Sequence, residues 1–227
     1  RARGGVGLII TEITRIDEGS GIGLRKQLGA TAPEHVIGLE KIAEAVHRHG
    51  AKLFVQLQHP GNEGNPTYNS PAELVAPSAV MCRAVGVMPR ALDVAEVEQL
   101  IKGFVKAARI AQMAGADGVE IHATHGYLVN QFLSPLTNQR NDQYGGSFEK
   151  RLAFIGGIIR GIQAICGPNF PISVRLSVDE FSAGGISIDE GVRIASSLEA
   201  LGIAALNVSS GTYDSSKPVI EPMSYAQ

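Results

Sequence analysis

Gly118-Val119-Glu120-Ile121-His122 is the stretch on which the fold turns. It is short, sets Val119 and Ile121 on either side of Glu120 and ends on a hydrogen-bonding side chain, as a buried parallel strand does where it surfaces. The same grammar recurs along the chain. Strands are expected near Val6 to Thr11, Lys52 to Gln56, Ile172 to Leu176 and Ala204 to Val208, each apolar on successive residues. Amphipathic helices separate them. Asp93 with Glu96 forms a capping-box pattern ahead of a stripe made by Val97, Leu100, Ile101, Phe104, Val105, Ala108 and Ala111. Thr31 with Glu34 repeats the pattern before a helix from about 33 to 49 that Gly50 should stop, and Ser187 with Glu190 repeats it before a helix ending at Gly202. Leu152, Ile155, Ile158, Ile159, Ile162 and Ile165 form another stripe, entered through Gly145, Gly146 and Ser147. Five strands alternating with four helices predict βα units on a parallel sheet.

Composition agrees and excludes much else. The 227 residues are 44% hydrophobic and 19% charged, with 27 Gly that follow no period, which excludes disorder, collagen and coiled coil. A net charge of −2, without any block of like charge, gives no footprint for nucleic acid or an anionic membrane. No apolar run approaches the ~20 residues that span a bilayer, and no signal peptide opens the chain. Cys82 and Cys166 are too few for a disulfide framework, lack metal-ligand spacing and fit a reducing cytoplasm. A chain that starts at Arg1 is expected to be part of a longer polypeptide.

Polar residues gather where the expected strands end. Glu12 follows the first strand, Gln56, Gln58 and His59 the second, Glu120 and His122 the third; Arg175 comes late in the fourth, and Asn207 and Ser209 flank Val208 in the fifth. Parallel α/β folds build their sites from such positions. Two excursions, 57 to 93 and 123 to 146, exceed ordinary connections, and loops of that length usually carry function. His122 and His125 are three residues apart and would share a face only in a helix, whereas the segment reads as a strand end turning into a loop. Arg140 is expected to pair with Asp142, and Gly145 and Gly146 to permit a tight approach to the next helix. Cys82 and Met81 read as filler in the long loop.

One long match goes further. His122-Ala123-Thr124-His125-Gly126-Tyr127-Leu128, continuing through Asn130 to Pro135 and then Asn138, Arg140, Asp142, Tyr144, Gly145, Gly146 and Ser147, closely resembles the old yellow enzyme family. These are FMN-dependent ene-reductases whose flavin sits in a (β/α)8 TIM barrel. Gln56, Leu57, His59 and Gly61 resemble the family's flavin-contacting segment, Val174, Arg175 and Leu176 its Arg-bearing strand, and residues 6 to 12 its second strand. Asn62 departs from the Arg that usually follows that Gly. The resemblance implies a partial FMN-binding barrel domain over 1 to 227 that covers about strands two to six, without the first, seventh and eighth strands. The FMN phosphate loops belong to the last two.

The resemblance also implies roles. Arg175 would stabilise negative charge at the pyrimidine end of the reduced flavin, Gln56 would offer its amide as donor and acceptor there, and backbone near Ile13 would face flavin O4. His122 and His125 would donate hydrogen bonds to a substrate carbonyl oxygen, and Tyr127, a phenol protonated at neutral pH, would give a proton to the α-carbon. His59 is read either as support behind these groups or as a polar loop residue. The reaction implied is reduction of the C=C bond of an α,β-unsaturated carbonyl or enoate with NADH or NADPH as reductant. An iron–sulfur cluster is allowed for outside this segment, as in larger bacterial members, and the oligomeric state, homo-oligomer included, is left open. Two alternatives stand beside this one: a flavin-free barrel lyase or metal-dependent hydrolase using His122, His125 and Glu120, and an inert fragment with open sheet edges.

Overall fold

Each stretch that alternates between strand and helix patterns lands next to its sequence neighbour in space. The computed structural model describes residues 1–69 and 73–215. In chain order the elements are β1 (Leu8–Ile10), β2 (Thr14–Arg15), β3 (Leu28–Gly29), α1 (His35–His47), β4 (Lys52–Gln58), β5 (Val75–Ala76), β6 (Arg90–Ala91), α2 (Val94–Met113), β7 (Gly118–Ala123), α3 (Leu128–Leu133), α4 (Phe148–Arg151), α5 (Ala153–Cys166), β8 (Ile172–Ser177), α6 (Ile188–Ala200) and β9 (Ala205–Ser209). The main sheet is parallel throughout and runs β3-β2-β4-β7-β8-β9, with β1 on the same edge of β4 as β2. All five expected strands form, and β1, β4, β7, β8 and β9 stand side by side in chain order. That order is an arc of a (β/α)8 barrel. No helix among the described residues is long and apolar enough to cross a membrane.

The strands differ from their expected polarity. In the three central strands the buried apolar positions share one face: Leu53, Val55 and Leu57 of β4, Val119, Ile121 and Ala123 of β7, and Ile172, Val174 and Leu176 of β8. Most of them join one core with Phe104, Ala108 and Ala111 of α2 and Phe154, Ile155 and Ile158 of α5. Burying each large side chain contributes roughly 1.5–3 kcal/mol. Helices α2 and α5 approach closely because α5 is glycine-rich: a Cβ at Gly157 would lie 3.0 Å from Ile101, and one at Gly161 would lie 2.5 Å from Val105. Ile165, expected in the α5 stripe, is instead exposed at its C-terminal end.

Helix ends were legible with exceptions. Asp93 and Glu96 form the complete capping box. Thr31 and Glu34 do not. Thr31 Oγ1 donates to Glu18, while the Thr31 and Ala32 N–H groups both donate to Nδ1 of His35, so an imidazole inside the first turn takes over the cap. Ser187 accepts from the Glu190 N–H, but the Glu190 carboxylate leaves the box to pair with Arg151. The long excursions hold structure that no periodicity announced: β5 pairs with β6 in the first, and α3 forms within the second. Residues 70–72 of the first excursion lie outside the described residues. The outer strands stay open, with Leu8 of β1 44% and Val208 of β9 65% exposed.

Candidate active site

Strand alternation puts the polar side chains on the face opposite the helices. Register then stacks them in layers. Gln56, Glu120 and Ser173 are Cα partners across β4, β7 and β8, and one layer nearer the C-terminal mouth His122, Arg175 and Asn207 are partners across β7, β8 and β9. Glu120, fully buried, joins the strands: it accepts from Gln56 Nε2 at 2.7 Å, Ser173 Oγ at 3.1 Å and Asn207 Nδ2 at 3.1 Å.

Beyond β7 the chain turns back over this mouth. His125 has φ 62°, a left-handed conformation strained for a side-chain-bearing residue, and Gly126 follows with φ 88°. The turn is held by its neighbours: the His125 N–H donates to Ser177 Oγ at 3.1 Å and the Gly126 N–H to Asn130 Oδ1 at 2.7 Å. This folds the loop so that the imidazoles of His122 and His125 meet edge to face, their ring centres 5.4 Å apart, with the Tyr127 ring 4.8 Å from His122. Nε2 of His125 is 2.7 Å from Ser209 Oγ, and the Tyr127 and Tyr213 hydroxyls are 2.9 Å apart.

The electrostatics keep all three groups uncharged at neutral pH. Burial, followed by His125 and Arg175, pushes His122 down to about 3. Burial and Arg175 push His125 down to about 4. Burial and the Tyr213 hydroxyl push Tyr127 above the ordinary phenol value. Two neutral imidazoles can each donate one N–H, and the phenol keeps its proton until an acceptor arrives.

His122, His125, Tyr127 and Arg175 are therefore brought together. Within this cluster Arg175 Nε and His122 Nδ1 are buried without a hydrogen-bond partner. Gln56 sits one layer deeper with one N–H committed to Glu120, leaving its carbonyl oxygen and second N–H free for other partners. Ile13 lies in the break between β1 and β2, where the Gln56 N–H donates to Thr11 Oγ1 at 3.0 Å and the strand edge opens. His59 is buried, its Nδ1 accepting from the Gly61 N–H at 3.1 Å and its Nε2 3.1 Å from Ser20 Oγ, so it braces the loop after β4. The Arg140–Asp142 pair forms, and a Cβ on Gly145 would lie 2.5 Å from that of Arg140, which explains the glycine. Cys82 is buried, whereas Met81 is exposed.

The sequence reading missed Tyr213, Ser209's contact and the joining role of Glu120. Tyr213 stands in the stretch after β9 without any pattern around it, 86 residues from Tyr127. Glu120 faces Gln56, Ser173 and Asn207 rather than the imidazoles, and among the described residues no group of three His, Cys, Asp or Glu is gathered as metal ligands would be. A metal-dependent reading lacks its third ligand there.

Comparison with known proteins gives a consistent result. The model of the NADH:flavin oxidoreductase / NADH oxidase family matches residues 1–224. An NADH oxidase of Thermoanaerobacter brockii is 45% identical over 227 residues, which is 100% of this chain and 35% of that protein. An NADPH dehydrogenase of Geobacillus sp. (strain WCH70) is 38% identical over 222 residues, 98% of this chain and 63% of that one. The solved structure of a 2-naphthoyl-CoA reductase in complex with 2-naphthoyl-CoA superposes with a TM-score of 0.87 at 29% identity, over 94% of this chain and 34% of that one. The chain thus spans between about a third and less than two thirds of these relatives.

Proposed function

Because the chain belongs to the NADH:flavin oxidoreductase / NADH oxidase family, we propose that the complete protein binds FMN, takes electrons from NADH or NADPH and reduces the C=C bond of an α,β-unsaturated carbonyl or enoate. The observation that supports this reading most is the convergence of His122, His125, Tyr127 and Arg175 at one mouth of the sheet, with buried donor positions left unmatched.

Bound FMN supplies the hydride equivalent for the β-carbon. The remaining work falls to the chain. Arg175 offers a fixed positive charge where the reduced ring gathers negative charge, Gln56 offers what remains of its amide, and the open edge at Ile13 offers backbone. His122 and His125 grip the carbonyl oxygen with neutral N–H donors, which draws electron density from the conjugated double bond without placing a full charge in a buried site. Tyr127 holds the proton for the α-carbon, so that hydride and proton together saturate the alkene. Tyr213, 42% exposed, joins that hydroxyl to solvent and can return the proton. A reducing cytoplasm suits both the nicotinamide chemistry and the two free thiols, Cys82 and Cys166.

The complete protein should purify yellow, bleach anaerobically with NADH or NADPH and regain its colour when an enone is added. A colourless protein that takes up no FMN overturns the reading.

A further inference from the structure

Loops that follow several strands meet around a cavity of about 390 Å³, a size that accommodates small molecules. Three carboxyl groups line it, from Glu63, Glu180 and Asp214. Two of these are satisfied by the protein. Glu180 accepts from Asn130 Nδ2 at 2.9 Å, Ser134 Oγ at 2.7 Å and the Ile186 N–H at 3.0 Å, and Asp214 accepts from the N–H groups of Arg83 at 3.2 Å and Ala84 at 3.0 Å. The wall amides are satisfied too: Gln131 donates to Asn62 Oδ1 at 2.8 Å, and Asn62 Nδ2 to the Val80 carbonyl at 2.9 Å. Glu63 differs. It is 8% exposed, and its Oε2 is buried with no hydrogen-bond partner. Among the described residues no lysine, arginine or histidine forms an ion pair with any of the three carboxyl groups.

We propose that this cavity is a binding site for a small organic cation, a primary alkylammonium whose N–H groups meet Glu63 Oε2. An unpaired buried carboxyl group is costly unless it is neutralised by a proton or a cation. The groups facing Glu63 settle which ligands are admitted. Asp214 repels an anion, burial raises Glu180 above the ordinary carboxylate range, Cys82 stays a thiol because burial pushes it up to about 12, and the Tyr127 phenol stays protonated. Arg83 contributes its backbone N–H to Asp214, with its side chain on the exposed rim. Burial, together with Asp214 and Glu180, pushes Glu63 well above the ordinary carboxylate range against the opposing Tyr213 backbone, so an ammonium seated there competes with a proton for this carboxyl group. Val80, Leu136 and Ala183 supply apolar wall for an alkyl body.

The test titrates n-butylammonium into the complete protein by calorimetry in two buffers of different ionisation heat, with n-butanol and butyrate as controls. The reading is binding heat, so it stands or falls independently of flavin turnover. Expected results are proton release on butylammonium binding, affinity at least tenfold above butanol, no butyrate binding, and at least tenfold weaker binding in Glu63→Gln. Absence of binding, equal affinity for butanol, binding without proton release, or an unchanged affinity in Glu63→Gln would overturn the proposal. If Glu63→Gln does not fold, the buffer comparison and the two controls on the unmodified protein decide alone.

Discussion

The hydroxyl of Tyr127 lies 2.9 Å from that of Tyr213, and the two rings meet edge to face with centres 5.7 Å apart. A proton held by a half-buried phenol is thereby one hydrogen bond from a residue that reaches solvent.

Tyr127→Phe should slow reoxidation of the reduced enzyme by an enone at least a hundredfold, the low end for a lost general acid. Reduction by nicotinamide should stay within about twofold, since that half-reaction needs no phenol proton. Tyr213→Phe keeps the ring packing and should leave the first reoxidation near that of the parent while slowing steady-state turnover about tenfold, because the return of the proton to Tyr127 loses its relay. Stopped-flow measurement of the two half-reactions separates them, and equal damage to both would refute the assignment.

Arg175→Ala removes the positive charge proposed to stabilise reduced flavin. The flavin midpoint potential should fall and FMN should be retained less well through gel filtration. A potential equal to that of the unmodified enzyme would take Arg175 out of the site.

Acid should destabilise the fold through the two imidazoles. Both are depressed below the unfolded value of about 6.5, to about 3 for His122 and about 4 for His125. The unfolded chain therefore binds the extra protons first. Their stabilising contribution is complete above pH ~6.5 and is lost as pH falls toward the folded values, by up to roughly 1.4 kcal/mol per pH unit for the buried His122 and by less for the partly exposed His125, whose charge water screens. Chemical denaturation between pH 7 and 4.5 should show a shallower loss in His122→Phe than in the parent.

Gly118→Ala should destabilise without touching the chemistry. A Cβ there would lie 2.6 Å from the Phe54 ring and 2.7 Å from the Pro171 carbonyl oxygen, and because one obstacle is backbone the cost should be about 1–3 kcal/mol. An unchanged denaturation midpoint would mean that β4 and β7 can part at that level.

Much of this was readable from residue order. The hydrophobic runs located all five strands, of which β4, β7 and β8 bury an apolar face, and Asp93 with Glu96 located a helix start from local bonding alone. Caps failed where a distant or unforeseen partner competed: His35 took the amides meant for Glu34, and Arg151 took the carboxylate of Glu190. Five strand ends bearing polar groups pointed to the mouth at which the rings of His122, His125 and Tyr127 converge. The alternation of polar and apolar faces was hidden because Phe54 and Gly118 interrupt it on the inner side.

By itself, then, the order of residues determined the βα arc and the end of the sheet where polar side chains gather, since these depend on short-range periodicity, while the grouping of His122, His125 and Tyr127 came from their resemblance to a known family. Only the tertiary structure decided that Gln56 donates a hydrogen bond to Glu120, that Tyr213 meets Tyr127, that the imidazoles are neutral and that Glu63 is stranded beside a cavity. Those outcomes depend on desolvation and on contacts between residues 64 and 86 positions apart, and neither is encoded in any local window of the chain.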